Sequence, residues 1–163
     1  MRVGFGYDSH RFEQGRRLVL GGVEIPFEKG LKGHSDADVL IHAIIDALLG
    51  ASALGDIGGF FPDTDPKWKG ADSTELLKIT VKALGDHGYE VVNVDATVIC
   101  ERPKLSPYIA DIRSRLARII FADGSLGVDC ISVKGKTNEK MDAVGEGLGV
   151  QVHAVALIER RKK

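Results

Sequence analysis

The alternation of apolar and polar residues predicts β-strands at both ends of the chain. In the N-terminal segment Val3, Phe5 and Tyr7 fall on one face, and Gly4 and Gly6 fall on the other. Because residues two apart share a face of a strand, the two glycines predict that another segment approaches this strand closely. A small hairpin and three further strands are predicted from β-branched and apolar runs at 17–25, 89–101, 128–134 and 150–158.

Helical periodicity is clearest over residues 35–54. This segment is apolar almost all round, which predicts a buried helix. Ser35 and Asp38 are spaced like a capping box at its start, and Gly55 is placed to end it.

Two more helices are predicted, one over 72–86 and one from a Ser106-Pro107 cap to about residue 121. The segment 56–70 is rich in Gly, Asp and Pro, and it is long enough to suggest a lid over a functional site. Strands and helices interleave along the chain. The pattern therefore predicts a single α+β domain over residues 1–163, with helices packed on a sheet.

Composition and charge narrow the classes of partner. A formal net charge of -1 argues against a nucleic-acid partner, because a general grip on phosphates needs a basic excess. The basic run at 160–163 is interpreted as a solvated chain end. Cys100 and Cys130 match no metal or redox motif and are expected to be reduced, buried thiols. No apolar stretch has the length of a membrane span and no signal-like run opens the chain, so we expect a cytoplasmic protein without a membrane partner.

A set of polar side chains on the first strand and first helix suits a metal ion. Asp8 and His10 lie two apart at the end of the strand, and His42 lies in the middle of the apolar helix. Asp38, His42 and Asp46 recur at four-residue intervals, and burying such groups is costly unless partners or a metal compensate. A hydrogen-bonded core histidine is the simpler explanation of His42 alone, but the flanking groups favour a ligand. One carboxylate and two imidazoles predict a catalytic zinc site with an open position, with Asp38 or Asp46 orienting the ligands.

The residues just before the predicted helix suit a phosphate group. A helix N-terminus offers unpaired N–H groups and a positive dipole, so Gly33-His34-Ser35 is interpreted as a phosphate seat beside the metal. A simple helix cap explains the same residues, and the two interpretations are compatible.

The segment 134–140 follows a strand and gathers lysines, a hydroxyl and a carboxylate. A Walker loop is excluded, because its first glycine would fall on Cys130. The segment is interpreted as a polar loop in which Thr137 donates to phosphate and Glu139 holds a hard cation such as Mg²⁺. A solvated loop without a ligand is an equally good explanation.

Several motifs stand in a fixed order between residues 2 and 158, and together they resemble the 2-C-methyl-D-erythritol 2,4-cyclodiphosphate synthase family of the non-mevalonate isoprenoid pathway. The order is far more specific than the spacing of the metal ligands. The motifs are Asp8-x-His10, His34-Ser35-Asp36-x-Asp38, His42, Gly55-Asp56-Ile57-Gly58, Phe61-Pro62-Asp63-Thr64-Asp65 and Gly70-Ala71-Asp72-Ser73.

The resemblance implies a ferredoxin-like α/β sandwich, with a mixed sheet and helices on one face, assembled as a homotrimer with active sites between subunits. It implies Zn²⁺ on the three ligands named above, Mg²⁺ or Mn²⁺ on Glu139, and transition-state stabilisation by His34 and Thr137. The substrate-binding residues that it implies are Ser35, Asp56, Ile57, Gly58, Phe61, Pro62, Asp63, Thr64, Asp65, Cys100, Glu101, Arg102, Pro103, Lys104, Leu105, Ser106, Lys136 and Asn138.

The implied reaction converts 4-diphosphocytidyl-2-C-methyl-D-erythritol 2-phosphate into the cyclic diphosphate and CMP, which is the chemistry of a phosphorus–oxygen lyase. The substrate's own 2-phosphate attacks its β-phosphorus, so no protein nucleophile is needed. Positioning and charge stabilisation then supply most of the catalysis. A zinc-dependent phosphohydrolase and a non-catalytic, zinc-binding trimeric module are the alternatives.

The chain departs from the family pattern at a few positions. Ser9 stands in the D-x-H motif where an apolar residue is more usual, and Lys136 stands in the phosphate loop where small residues and threonines are commoner. Ala143 and Glu146 replace an aromatic residue and an arginine that line a central trimer cavity in some members. Because a glutamate would repel an isoprenoid diphosphate, we do not expect that ligand at the trimer axis.

Overall fold

The computed structural model describes residues 1–124 and 126–161. Within these residues the chain forms strands, helices and two short 3-10 helices, the latter at Pro66–Trp68 and Val128–Cys130. The strands are β1 (Arg2–Gln14), β2 (Leu18–Leu20), β3 (Val23–Ile25), β4 (Lys29–Leu31), β5 (Tyr89–Ile99), β6 (Ile131–Lys136) and β7 (Gly149–Arg160). The helices are α1 (Val39–Ser52), α2 (Ile57–Phe60), α3 (Ser73–Asp86), α4 (Ile109–Ile120) and α5 (Asp142–Gly145).

Five strands form one mixed sheet in the order β4-β1-β7-β5-β6. The pairing of β5 with β6 is parallel, and the other pairings in this sheet are antiparallel. Strands β2 and β3 form a separate antiparallel hairpin, as the Gly21-Gly22 turn predicts. The predicted α+β architecture, with helices packed on a sheet, is confirmed.

The first helix packs directly on the backbone of the first strand. A Cβ atom at Gly4 would lie 1.9 Å from the carbonyl oxygen of Ala47, and one at Gly6 would lie 1.9 Å from that of Ala43. Only glycine permits such an approach, so the prediction of a close neighbour on this face is confirmed. The opposite face of β1 stays open, and Val3 on it is 68% exposed.

The bounds of α1 differ from those predicted. The helix begins at Val39, and Asp38 is its N-cap, with a carboxylate that accepts a backbone N–H three residues further on. The predicted start at Ser35 is therefore wrong, because the residue with the capping oxygen stands later in the same polar run. The helix ends at Ser52, before the position predicted from Gly55, and Ala53 follows it in the left-handed conformation.

The other elements follow the prediction with smaller shifts. Helix α3 lies where expected, with Asp72 as its N-cap. Helix α4 begins at Ile109, not with the Ser106-Pro107 pair, and its N-cap Tyr108 makes no side-chain cap bond. The predicted strand at 128–134 begins at Ile131, after one of the 3-10 helices.

The structure describes two of the four residues in the basic run at 160–163, and both cysteines. Arg160 and Arg161 are exposed, although Arg160 still belongs to β7, and the other two residues of the basic run lie outside the described residues. Both cysteines are free; Cys100 is buried and Cys130 is half-buried. None of the helices in the described part of the chain combines the length and hydropathy that a membrane crossing requires.

Candidate metal centre and phosphate loop

The three predicted zinc ligands converge on one point. Asp8 Oδ2 lies 3.0 Å from His10 Nε2 and 3.0 Å from His42 Nδ1. The two imidazole nitrogens are 3.3 Å apart. Tetrahedral coordination with bonds of about 2.0–2.1 Å places ligand atoms about 3.3–3.4 Å from each other. The triangle therefore fits a single small divalent cation, as the sequence predicts.

The fold itself brings these side chains together. Asp8 and His10 continue the face of β1 that carries Gly6, and this face meets the backbone of α1 at Ala43. His42 is the neighbour of Ala43 and is 9% exposed. The close packing of strand on helix is thus what places the imidazole beside the strand end.

The hydrogen bond of His10 Nδ1 determines the tautomer of the ring, and so the protonation of Nε2. His10 Nδ1 lies 2.6 Å from the backbone oxygen of Lys32. A carbonyl oxygen only accepts, so Nδ1 carries the proton and Nε2 presents its lone pair to the triangle. Asp8 is held in a similar way, because its Oδ1 accepts the backbone N–H of Ser9 at 2.8 Å.

Electrostatics in the triangle keep the Asp8 carboxylate ionised. Burial raises the pKa of Asp8, but the hydrogen bonds and positive charges of His10 and His42 outweigh burial and hold that pKa well below its usual range. Burial lowers the pKa of His10, yet the adjacent Asp8 carboxylate outweighs it and raises that pKa above 6.5. A carboxylate that stays ionised is a ready ligand for a cation.

The outer nitrogen of His42 faces two hydroxyl groups that the sequence prediction missed in this role. His42 Nε2 lies 3.1 Å from Ser35 Oγ and 3.0 Å from Ser73 Oγ. The hydroxyl of Ser73 donates to Asp36 Oδ1, and its backbone N–H donates to Asp36 Oδ2 at 3.0 Å. Both residues lie inside the motifs quoted above, but their contact spans 37 positions, and no local spacing signals it.

The two carboxylates predicted to orient the ligands bond elsewhere. Asp38 accepts the backbone N–H groups of Gly21 at 3.0 Å and Gly22 at 2.7 Å, in addition to capping α1. The prediction that Asp38 orients His42 is wrong, because this carboxylate joins the hairpin to the helix. Asp46 accepts the backbone N–H of Ile57 at 2.8 Å, and its role beside the metal ligands stays a prediction.

The predicted phosphate seat at the start of α1 needs the same correction. The helix begins four residues after Ser35, and the Asp38 carboxylate occupies its N-terminus, which leaves no seat there for an anion. His34 and Ser35 nevertheless line a cavity of about 390 Å³ together with the metal triangle. Other predicted site residues that line it are Ile57, Gly58, Phe61 and Asp63.

The remaining residues of the predicted lid have local tasks. The Asp56 carboxylate accepts the backbone N–H of Gly59 at 2.7 Å and caps α2. The Asp65 carboxylate accepts the N–H of Lys67 at 3.0 Å and caps the 3-10 helix that follows. Pro62 and Thr64 lie between these turns and do not line the cavity. Their roles toward a substrate stay predictions.

A second cavity, of about 520 Å³, lies beside the phosphate loop. Burial raises the pKa of the Cys100 thiol to about 12, so this cysteine is no nucleophile. Asn138 and Glu139 do not line the cavity; the N–H of Asn138 donates to Glu101 Oε2 at 3.1 Å. The predicted substrate-binding residues that line it are Cys100, Glu101, Arg102, Pro103, Lys104, Leu105, Ser106 and Lys136, joined by Thr137.

The sheet register relates the two regions. Ser9, Gln151, Ile99 and Lys136 lie opposite one another across β1, β7, β5 and β6. Both regions therefore stand at the same end of the sheet. Three strand spacings of about 4.8 Å place these backbone positions about 14 Å apart.

Comparisons with known proteins agree with the motif order. The chain is 58% identical over 160 residues to 2-C-methyl-D-erythritol 2,4-cyclodiphosphate synthase of Chloroherpeton thalassium, covering 98% of this chain and 99% of the relative. It superposes on the bifunctional IspDF from Campylobacter jejuni with a TM-score of 0.93 and 39% identity, covering 99% of this chain and 42% of that one. A 2C-methyl-D-erythritol-2,4-cyclodiphosphate synthase solved in a CDP-bound form gives a TM-score of 0.87 and 39% identity, covering 97% and 100%.

The family assignment follows from these matches. The model of the YgbB family matches residues 1–159, nearly the whole chain. The resemblance inferred from the motifs is confirmed, and the chain belongs to the YgbB family of 2-C-methyl-D-erythritol 2,4-cyclodiphosphate synthases.

Proposed function

We propose that this chain converts 4-diphosphocytidyl-2-C-methyl-D-erythritol 2-phosphate into 2-C-methyl-D-erythritol 2,4-cyclodiphosphate and CMP. The observation that carries the proposal is the ligand triangle of Asp8, His10 and His42, which opens into a cavity shared with His34 and Ser35. These three residues would hold a zinc ion, and three protein ligands beside an open cavity are typical of catalytic zinc sites.

The chain's own residues supply position and charge. His34 and Ser35 border the metal triangle, where they would bind and orient the phosphate that is attacked. In the loop the hydroxyl of Thr137 donates to the Glu139 carboxylate at 2.8 Å, so a phosphate donor and a cation ligand lie side by side. When bound, zinc on the triangle and Mg²⁺ or Mn²⁺ on Glu139 supply Lewis-acid stabilisation of the diphosphate.

The second cavity is proposed to bind the cytidine end of the substrate. Lys104 and Lys136 line it and offer positive charge to a diphosphate. A similar synthase was solved with CDP bound, which supports a cytidine nucleotide as the ligand. The thiol of Cys100 donates a hydrogen bond to the backbone oxygen of Arg102 at 2.9 Å, and this residue lines the cavity as a protonated thiol.

Assembly as a homotrimer of ferredoxin-like subunits is part of the proposal. The open face of the sheet presents Val3, Phe5 and Val155 at 68%, 63% and 41% exposure, an apolar surface that a second copy would cover. The distance between the two regions supports sites between subunits. Ions that bridge one diphosphate lie about 4 Å apart, whereas the two regions of a single chain are about 14 Å apart.

A mixing experiment tests the composite site. His42→Ala removes a metal ligand and Glu139→Ala removes the loop carboxylate, so each homotrimer is expected to be inactive. If every site joins the triangle of one subunit to the loop of the next, random mixed trimers regain about one quarter of wild-type activity. Mixtures refolded together that stay as inactive as the separate variants would contradict sites between subunits.

The reaction itself is tested by phosphorus NMR. The protein is incubated with the cytidyl substrate, Zn²⁺ and Mg²⁺, and the resonances of CMP and the cyclic diphosphate are followed. The cyclase produces both in equal amounts without inorganic phosphate. Release of inorganic phosphate in place of the cyclic product would instead indicate the zinc-dependent phosphohydrolase.

The non-catalytic alternative is tested by metal removal. Helix α1 packs on β1 through Gly4 and Gly6, and most of its residues are buried in the hydrophobic core, so we expect the fold to survive a chelator. Activity is then lost and the circular dichroism spectrum is kept. Unfolding on chelation would support a structural zinc.

Two free cysteines are consistent with the cytoplasmic location that the sequence predicts.

A further inference from the structure

The proton arrangement around His42 depends on two residues with no role in the proposed reaction. The His42 ring faces Asp8 Oδ2 with Nδ1 at 3.0 Å and Ser73 Oγ with Nε2 at 3.0 Å. A neutral ring carries one proton, and a carboxylate beside Nδ1 attracts that proton to the nitrogen that must coordinate the metal. The site therefore needs a strong acceptor on the opposite side of the ring.

Ser73 is made into that acceptor by Asp36. A serine hydroxyl has a single proton, and that of Ser73 is donated to Asp36 Oδ1. The lone pairs of Ser73 Oγ then face His42 Nε2, which can only donate to them. Without the carboxylate, the hydroxyl could donate to Nε2 and the ring proton would move to Nδ1, toward the cation.

Both members of the pair are fixed in place. Ser73 is fully buried at the start of α3. The Asp36 carboxylate also accepts the backbone N–H of Ser73 at 3.0 Å and that of Asp38 at 3.2 Å. The backbone N–H of Asp36 donates to the backbone oxygen of Ala71 at 3.1 Å. Because an ionised carboxylate can only accept, the Ser73 hydroxyl must donate its proton to Asp36.

We propose that Asp36 and Ser73 are positioning residues of the metal centre: the pair holds His42 as its Nε2–H tautomer, with the Nδ1 lone pair facing the cation. The inference rests on the metal centre proposed above. It also leaves the Ser35 hydroxyl, which accepts the N–H of Ala37 at 3.1 Å, with its own proton available for a substrate phosphate.

Zinc affinity tests the pair directly. Competition with a chromophoric chelator gives the dissociation constant of the wild type and of the variants Ser73→Ala, Asp36→Ala and the double variant. Removal of an outer hydrogen-bond partner of a ligating histidine costs about 10- to 100-fold in affinity. We expect this loss in each single variant. Because the two residues act through one hydroxyl, the double variant should bind no more weakly than Ser73→Ala alone.

A matched control and a second readout separate positioning from folding. Ser52→Ala removes another buried hydroxyl, one that bonds to Leu48 and Leu49 at the far end of α1, and it should leave zinc affinity unchanged. In the zinc-loaded wild type the His42 Nε2–H proton should give a slowly exchanging NMR signal. The signal should be lost in Ser73→Ala while thermal unfolding remains cooperative.

The outcomes distinguish the two proposals. A wild type that binds no zinc at the triangle overturns the metal centre itself. A wild type that binds zinc, with Ser73→Ala or Asp36→Ala binding equally tightly, overturns the role of the pair and leaves the metal centre standing. Additive losses in the double variant would also reject it. If Ser73→Ala fails to fold, Asp36→Ala alone decides, because it removes the acceptor of the Ser73 proton altogether, and unchanged zinc affinity there is sufficient to reject the pair.

Discussion

The metal triangle and the phosphate loop stand at the same end of the sheet but are built in different ways. Each metal-facing atom of the triangle belongs to a side chain that another group already holds, as Lys32 holds His10 and Ser73 holds His42. In the loop, Thr137 and Glu139 bond to each other and are exposed to solvent. One region is complete within a single chain, and the other has polar groups satisfied only locally.

The backbone shows the same contrast. The triangle sits where a strand meets a helix so closely that only glycine fits, at Gly6. At the end of the phosphate loop, Glu139, Lys140 and the nearby Asp142 adopt positive φ angles of 51°, 60° and 56°, which cost non-glycine residues about 1 kcal/mol each. The contrast between a preorganised ion site and a strained, open loop is what the proposal of sites between subunits expects, since the loop would then find its partners in the substrate or in a neighbouring subunit.

The largest expected effect is on stability, and it comes from the closer backbone packing at the metal triangle than at the phosphate loop. Gly6→Ala would bring its Cβ to 1.9 Å from the carbonyl oxygen of Ala43, and helix and strand must separate. We expect a loss of stability well above about 4 kcal/mol and little soluble, folded protein. Its counterpart beside the loop is Gly135→Ala, where the new Cβ meets Leu105 at 3.4 Å. That variant should stay within about 1 kcal/mol of the wild type in chemical denaturation. Equal stabilities would break the contrast.

The next largest effect is expected on zinc binding and turnover when a metal ligand is removed. His42→Ala removes one ligand and leaves a small cavity at the edge of the core, so the fold should persist. Zinc binding at the triangle should be lost, and turnover should fall by about 10³-fold or more, because Lewis-acid stabilisation is lost with the ion. Metal analysis after dialysis measures the bound zinc, and the NMR assay measures turnover. Retention of a full complement of zinc with wild-type turnover would exclude the triangle as the catalytic centre.

A smaller effect is expected in the loop. Thr137→Ala removes one donor to the developing charge, and loss of one such donor costs about 10²- to 10³-fold in kcat. Zinc affinity should be unchanged, since the loop lies about 14 Å along the sheet from the triangle within one chain. Thr137→Ser keeps the hydroxyl and serves as the control, with most of the activity retained. A loss of zinc affinity in Thr137→Ala would show that the two regions are coupled within a subunit.

Local signals in the sequence predicted the strand and its ligands well. The alternation that places Gly4 and Gly6 on one face continues to Asp8 and His10, so one pattern predicts both the close packing and the direction of two ligands. His42 could be added because a polar residue on an apolar helix must find partners. These inferences need only the periodicity of a strand and of a helix.

The partners of His42 could not be predicted in the same way. Three acidic or hydroxyl residues crowd the polar run before α1, and the sequence does not say which of them caps the helix. Asp38 does, which moves Ser35 into the cavity and leaves Asp36 to bind Ser73 at the start of another helix. Such an assignment depends on tertiary contacts across 37 positions, and propensity carries no information about them.

The smallest effects compare the carboxylates that tie each region together. In Asp38→Asn the amide still caps α1, but its NH₂ group replaces one acceptor for the N–H groups of Gly21 and Gly22. One buried donor is left unsatisfied, which costs about 1–3 kcal/mol. Glu101→Gln in the loop region keeps an amide oxygen for the N–H of Asn138, so its effect on stability should be below about 0.5 kcal/mol.

The pH dependence of the Asp38→Asn difference follows from burial. Burial raises the pKa of Asp38 above its ordinary value of 3.8, so the folded protein holds this proton more tightly than the unfolded chain does. The contribution of Asp38 is therefore full below pH 3.8 and declines as pH rises through the raised folded pKa. Asparagine does not titrate, so the stability gap between wild type and variant should narrow from mildly acidic to neutral pH. Zinc affinity should remain that of the wild type throughout. If Asp38→Asn lost zinc affinity while keeping its stability, Asp38 would be a positioning residue of the metal centre, as Asp36 is proposed to be, and its assignment to the hairpin and helix would be wrong.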